Sequence, residues 1–214
     1  MILCLPGFCD DATAFLPLAA TSLAERFDLI LPDLPGFGAS PPLPGRTDIA
    51  TLAGRMLRLA RKISPDRPVG LIAHSVASAI AVEAARKDTR AICGLLSIEG
   101  NLTAADANLS GKAMAFDDPA VFQRAFTGEI EALARQQPGL QRYVAAVRRA
   151  DARAIWDLGR DAVRRGPADA FGQANLQVAG RIPALYFWGR RNSPAPTAAF
   201  IDRHAERMAQ REFF

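Results

Sequence analysis

The segment Val69-Gly70-Leu71-Ile72-Ala73-His74-Ser75-Val76-Ala77 decides the fold. Val69 to Ala73 is a short apolar run of strand length, and Val76 to Lys87 is a strongly apolar helical stretch. A serine stands at the junction. A sharp strand-to-helix turn forces strained backbone angles on such a serine and holds its hydroxyl clear of the sheet. The turn requires small residues two positions before and two after, and Ala73 and Ala77 supply them, although glycine is the usual occupant of both. A plainer reading stands beside this one: serine is a common helix N-cap, and His74-Ser75 would serve as no more than that.

Outward from the junction, strands and helices alternate. Ile2 to Leu5 is an apolar run stopped by Pro6-Gly7, and Ala12 to Phe27 is expected as a helix opened by Asp11. Leu29 to Leu31 forms a second strand, followed by a loop rich in proline and glycine. Asp48 caps a helix that carries Leu52, Met56 and Leu59 on one face, and Ile92 to Ile98 is a further strand. This alternation marks an α/β fold, a mostly parallel sheet flanked by helices. It breaks after Gly100. From Leu102 to Gly180 there is no strand periodicity, and Asp118-Pro119 starts an amphipathic helix carrying Val121, Phe122, Phe126, Ile130 and Leu133. Pro183 to Trp188 restores a strand, and Ala195 to Arg211 is expected as a last helix. The expected organisation is a core of residues 1–101 and 181–214, with residues 102–180 inserted as a helical block longer than an ordinary loop.

Composition narrows the function. The 214 residues are 50% hydrophobic, with 26 basic and 22 acidic side chains and a formal net charge of +4. Lys62, Lys87 and Lys112 are the only lysines, and the arginines are interspersed with acids rather than gathered on a stripe, which argues against nucleic acid as a partner. No apolar run reaches the length of a membrane span. Met1 to Leu5 lacks a basic leader, so the expected location is the cytoplasm. Cys4, Cys9 and Cys93 are odd in number and have no metal-ligand spacing, so they are read as reduced thiols. No metal and no cofactor is called for.

Four segments, in this order, resemble the α/β-hydrolase superfamily. Leu5-Pro6-Gly7-Phe8 is similar to the family's exit from strand three. Leu31-Pro32-Asp33-Leu34-Pro35-Gly36-Phe37-Gly38-Ala39-Ser40 is similar to its Asp-x-Pro-Gly-x-Gly-x-Ser loop. Ala73-His74-Ser75-Val76-Ala77 falls on its nucleophile elbow, and Tyr186-Phe187-Trp188-Gly189 looks like its strand seven. The resemblance implies Ser75 as nucleophile, and the backbone N–H groups of Phe8 and Val76 as the oxyanion hole. It also implies residues 102–180 as a helical lid over a small-molecule substrate. Pro6 replaces the family's usual histidine, but the donor is backbone N–H.

The rest of the catalytic set departs from the pattern. Where the family often places its acid after strand seven, this chain has Asn192. Glu99, after the preceding strand, takes the acid's place; its alternatives are a plain surface glutamate or a partner for an arginine of the lid. Of the two histidines, His74 is expected to point behind the elbow and His204 to pack inside the last helix. The reading therefore expects strand eight and its base histidine to be lacking. Three functions remain open. They are a serine hydrolase for a small ester or carbon–carbon substrate with impaired activity, a non-catalytic relative that binds a small molecule, and a protein-interaction module. Substrate and oligomeric state are not legible.

Overall fold

A computed structural model describes residues 1–213. Among the described residues, six strands form one parallel sheet: β1 Ile2–Leu5, β2 Leu29–Ile30, β3 Val69–His74, β4 Ile92–Ile98, β5 Ala184–Gly189 and β6 Gln210–Phe213. Their order across the sheet is β2-β1-β3-β4-β5-β6. Register is continuous through the centre, with Leu5 opposite Ala73, Ala73 opposite Ser97, and Ser97 opposite Tyr186.

The two faces of the sheet are covered unequally. Leu3, Leu5, Leu71, Ala73 and Leu95 are buried in one large core with two helices, α2 (Ile49–Ile63) and α3 (Ala77–Lys87). Helix α3 fits closely because Ala77, Ala79, Ala81, Ala84 and Ala85 present almost no bulk. On the other face Cys4 and Ile72 pack with Phe15, while Leu96 and Ile98 are only partly buried. The segment covering that face is Ala12–Ala20, which is a 3-10 stretch and not the start of one long helix. Pro17 lies inside it, and proline removes a helical N–H donor, so only the short α1 (Ser22–Arg26) is α-helical.

Residues 102–180 carry no strand. Four α-helices run through them: α4 Pro119–Gln136, α5 Gln141–Arg149, α6 Ala152–Arg165 and α7 Ala170–Ala179. Asp118 caps α4 by accepting from Val121 N at 2.8 Å, with Pro119 in the first helical position. Buried carboxylates of α6 fix this block to the core. Asp157 accepts from Thr47 N at 3.3 Å and Asp161 from Ile49 N at 3.0 Å. The loop after β2 supplies a further anchor, since Asp151 N donates to Gly36 O at 2.7 Å. Asp33 organises that loop by accepting from Ala12 N and Ala39 N, each at 2.8 Å. Gly38, at φ 54°, lies so close to the Asp33 carboxylate that any Cβ would collide with it.

The end of the chain differs from expectation. The last helix, α8 (Ala195–Arg203), stops at His204, and Gln210–Phe213 then joins the sheet as β6. Tyr186 stands opposite Gln210 and Gly189 opposite Phe213. The strand expected to be lacking is therefore present over Gln210–Phe213. Its polar Gln-Arg-Glu sequence belongs to a sheet edge. Phe213 stacks on Phe187 at 4.8 Å between ring centroids, and Trp188 Nε1 donates to Gln210 Oε1 at 2.8 Å.

Candidate active site

At the carboxyl edge of the sheet, three neighbouring strands each lead into a non-glycine residue with left-handed backbone. These residues are Cys9 beyond β1 (φ 58°), Ser75 after β3 (φ 54°) and Glu99 after β4 (φ 45°). Such conformations cost about 1–3 kcal/mol each and persist where the surroundings impose them. For Ser75 the surroundings are hydrogen bonds on both sides. Its N–H donates to Ile98 O at 3.0 Å, and its carbonyl accepts from Ser78 N at 2.9 Å. Ala73 and Ala77 flank the turn fully buried. The N-cap reading of Ser75 fails, because Val76 is the residue preceding α3 and no side chain caps it.

Gly7 brings the loop after β1 against the serine. A Cβ added there would lie 2.8 Å from His74 Nδ1 and 3.2 Å from Ser75 Cβ. Phe8 and Val76, the residues at the two ends of this contact, are both buried, and neither backbone N–H meets an acceptor among the described residues. Buried N–H groups are paired in the great majority of cases, and Phe8 lines a cavity that reaches Ser75.

Helix α5 holds this loop from above. Arg142 binds the buried Asp10 carboxylate with both terminal nitrogens, at 2.5 and 2.9 Å. Arg149 pairs with Asp11, which is also buried. Burial pushes the Asp11 carboxyl upward, but hydrogen bonds from Thr13 and Arg149 outweigh it and leave the group below its usual range. Tyr143 OH donates to Phe8 O at 2.9 Å.

On the opposite side, Glu99 N donates to Phe187 O at 2.8 Å, and Glu99 Oε1 accepts from Asn192 Nδ2 at 3.2 Å. Two cavities meet at Ser75. One, of about 270 Å³, is lined by Gly7, Phe8, Leu109, Leu140, Arg142 and Tyr143. The other, of about 260 Å³, lies toward Glu99, Tyr186, Asn192 and Pro194. His74, Asp106 and Asn108 border both.

The histidines are placed differently from one another. His74 is not turned behind the elbow: its ring lies against Gly7 and borders both cavities. Burial lowers its pKa, against the pull of Asp10 and Glu99 and with help from Arg142. His204 closes α8 and packs on Phe200, 4.5 Å between centroids. Neither ring hydrogen-bonds Ser75.

A family model described as alpha/beta hydrolase fold matches residues 1–200. The chain belongs to the α/β-hydrolase fold family. No curated protein sequence matches it. Among solved structures, a thermophilic esterase from Thermogutta terrifontis with malate bound superposes with a TM-score of 0.74 at 18% identity, covering 99% of this chain and 79% of the esterase. A hydrolase from Pseudomonas aeruginosa gives 0.73 at 17%, with 99% and 80% covered. E-2-(acetamidomethylene)succinate hydrolase gives 0.73 at 20%, with 99% and 82% covered. Against these α/β-hydrolases the likeness is one of fold.

Sequence reasoning missed Asp10, Arg142 and Tyr143, and it read Asp11 only as a helix cap, a role it has at Thr13 N beside its pairing with Arg149. Asp10 and Arg142 are 132 residues apart, and no spacing rule connects them. The available signal was the acidic doublet directly after Gly7-Phe8-Cys9, unpaired by any nearby base.

Proposed function

We propose that this α/β-hydrolase cleaves small acyl substrates with Ser75 as nucleophile, and that residues 102–180 act as its lid. The observation that carries the reading is the strained Ser75 turn bordered by the unpaired N–H groups of Phe8 and Val76. Attack of Ser75 Oγ on an acyl carbon moves negative charge onto the carbonyl oxygen. Two fixed N–H donors aimed at that oxygen stabilise the charge; losing one such donor typically costs about 3–4 kcal/mol of barrier. The acyl portion would occupy the cavity toward Phe8, Leu140 and Tyr143, beneath the helical segment.

Glu99 is the acid of this reading, facing the cavity on the other side of the serine. Activation of the hydroxyl is its weak element. A serine needs an adjacent base at neutral pH, and neither histidine of the chain is hydrogen-bonded to Ser75. The described residues supply no such base, and for them the proposal is turnover below the ordinary enzyme value of about 10 s⁻¹. Serine hydrolases stripped of their triad retain roughly 10³–10⁴-fold acceleration over water, so activity need not vanish. The same observation favours a second reading, a non-catalytic relative whose lidded cavity binds a small molecule.

A fluorophosphonate probe separates the two. Covalent labelling that disappears in Ser75→Ala supports a nucleophile, and p-nitrophenyl acetate turnover compared in the same pair measures its competence. An unlabelled, folded chain would favour the binding reading.

A further inference from the structure

Charge is unevenly balanced around Ser75. One guanidinium, that of Arg142, lines the cavities that meet there, and the buried Asp10 carboxylate offsets it through hydrogen bonds of 2.5 and 2.9 Å. His74, the other basic group on these walls, is held toward its neutral form by burial. Asp106 lines both cavities, and among the described residues no arginine, lysine or histidine pairs with it. Neutral donors fix it instead. Oδ2 accepts from Leu102 N at 2.9 Å, Thr103 N at 2.8 Å and Thr103 Oγ1 at 3.3 Å, and Oδ1 accepts from Thr197 Oγ1 at 2.7 Å. Each oxygen of an ionised carboxylate offers about two acceptor positions, so one remains on Oδ1. The charge is oriented but not cancelled. Its field reaches a neighbouring lining residue: burial pushes the Tyr186 phenol above its usual range, and the Asp106 and Glu99 carboxylates push it further.

We propose that Asp106 selects substrates whose acyl portion carries an ammonium group, so that amino-acyl esters are preferred over neutral and carboxylate-bearing ones. The inference rests on Ser75 being the nucleophile and on the acyl portion lying in the cavity of about 270 Å³ toward Phe8. An ammonium there donates to the open position on Asp106 Oδ1, while its methylene stem lies along Phe8, Leu109 and Leu140. A neutral alkyl end in the same place strips water from the carboxylate and offers no donor in return, which is costly for a charged group. A carboxylate end fares worse. It faces Asp106 directly and must compete with Asp10 for the Arg142 guanidinium. Asp106 makes and breaks no bond in this scheme; it sets specificity by its charge. That separates the role from its structural bonds to Leu102, Thr103 and Thr197.

The test reads reversible protection of Ser75 from fluorophosphonate labelling in the intact chain, with n-butylammonium, n-butanol and n-butyrate as probes. Butylammonium is expected to half-protect at a concentration about tenfold below that of butanol, an advantage between those of an exposed and a desolvated ion pair. Butyrate should protect least. Added salt should erode the butylammonium advantage and leave butanol unchanged. The Ser75-dependent kcat/KM for the p-nitrophenyl ester of 6-aminohexanoate should exceed that for the isosteric heptanoate by a similar factor, with Ser75→Ala supplying the background. Asp106→Asn is expected to abolish the difference between butylammonium and butanol, and Asp106→Glu to restore part of it. A merely structural Asp106 would change the labelling rate and leave that ratio intact. Should Asp106→Asn not fold, the salt series on the unaltered chain carries the comparison. Equal protection by the cation and the alcohol, or best protection by butyrate, overturns the proposal, while the labelling itself leaves the nucleophile reading standing. A folded chain whose Ser75 never labels overturns that reading, and the proposal with it.

Discussion

The two sides of Ser75 are built to different standards. Toward β1, the loop from Gly7 to Asp11 is held by two ion pairs to buried carboxylates, a tyrosine hydroxyl and a contact that only glycine permits. Toward β4 and β5, the half-buried Glu99 side chain is held by one amide at 3.2 Å. The first side presents fixed dipoles and the second presents space. Preorganised donors work only when the fold prevents their reorganisation. The difference is open to test by perturbing each side in turn.

The largest effect is expected at Gly7. Gly7→Val would force side-chain atoms into the His74 ring and the Ser75 turn, with no flexible neighbour to yield. Overpacking of this kind costs about 1–3 kcal/mol, occasionally more. Thermal unfolding should show the loss, and fluorophosphonate labelling of whatever remains folded should fall below detection.

Arg142→Ala comes next. It leaves the buried Asp10 carboxylate without its bidentate partner. A fully buried pair broken in this way costs about 3–5 kcal/mol, but Arg142 is nearly half exposed and water can enter. A loss of about 1–3 kcal/mol in denaturant unfolding is expected, together with slower labelling as the loop carrying Phe8 loosens. Tyr143→Phe should slow labelling with a smaller stability cost, because it removes one neutral hydrogen bond worth about 1 kcal/mol. If Tyr143→Phe labels as fast as the parent, the β1 side is not held by α5 in the way described.

Acidification tests the shared wall. His74 has a folded pKa below its ordinary value of 6.5, so the unfolded chain takes up a proton that the native chain resists. Its contribution is complete above about pH 6.5 and is lost as the pH falls below that value. The slope for one such group is at most about 1.4 kcal/mol per pH unit. Asp11, with a lowered pKa, acts further down: its contribution is present above the unfolded carboxylate pKa and is lost as the pH drops toward the folded one. Unfolding followed from pH 8 to pH 5 should weaken in the parent and weaken less in His74→Gln. Equal slopes would mean that His74 titrates as though exposed.

Much of this was written locally in the chain, and what was not has a physical cause. The Ser75 turn was legible because an apolar strand, small flanking residues and an apolar helix are contiguous. The position of Glu99 directly after β4 was legible because its strand ends beside a glycine. Strand β6 was hidden: Gln210, Arg211 and Glu212 form a polar edge strand, stabilised by backbone pairing and by stacking of Phe213 rather than by hydropathy. The break at Pro17 was overlooked because apolar residues continued at helical spacing on both sides of it. The brace from α5 was invisible for a different reason. Charges that meet across 132 residues leave no periodic trace, and only the folded chain shows Asp10 beside Arg142.

The smallest effect is expected on the open side, at Asn192. Its amide makes one hydrogen bond of 3.2 Å to a carboxylate that water can also reach, so Asn192→Ala should change stability by less than about 0.5 kcal/mol, as surface substitutions usually do. Its consequence should lie in fluorophosphonate labelling. In Asn192→Ala the Glu99 carboxylate gains rotational freedom, and labelling should slow by less than in Tyr143→Phe, because the hydrogen bond lost goes to Glu99 and not to the loop carrying Phe8. If Asn192→Ala instead slowed labelling as much as Arg142→Ala does, the two sides would be coupled, and the contrast between a fixed side and an open one would be wrong.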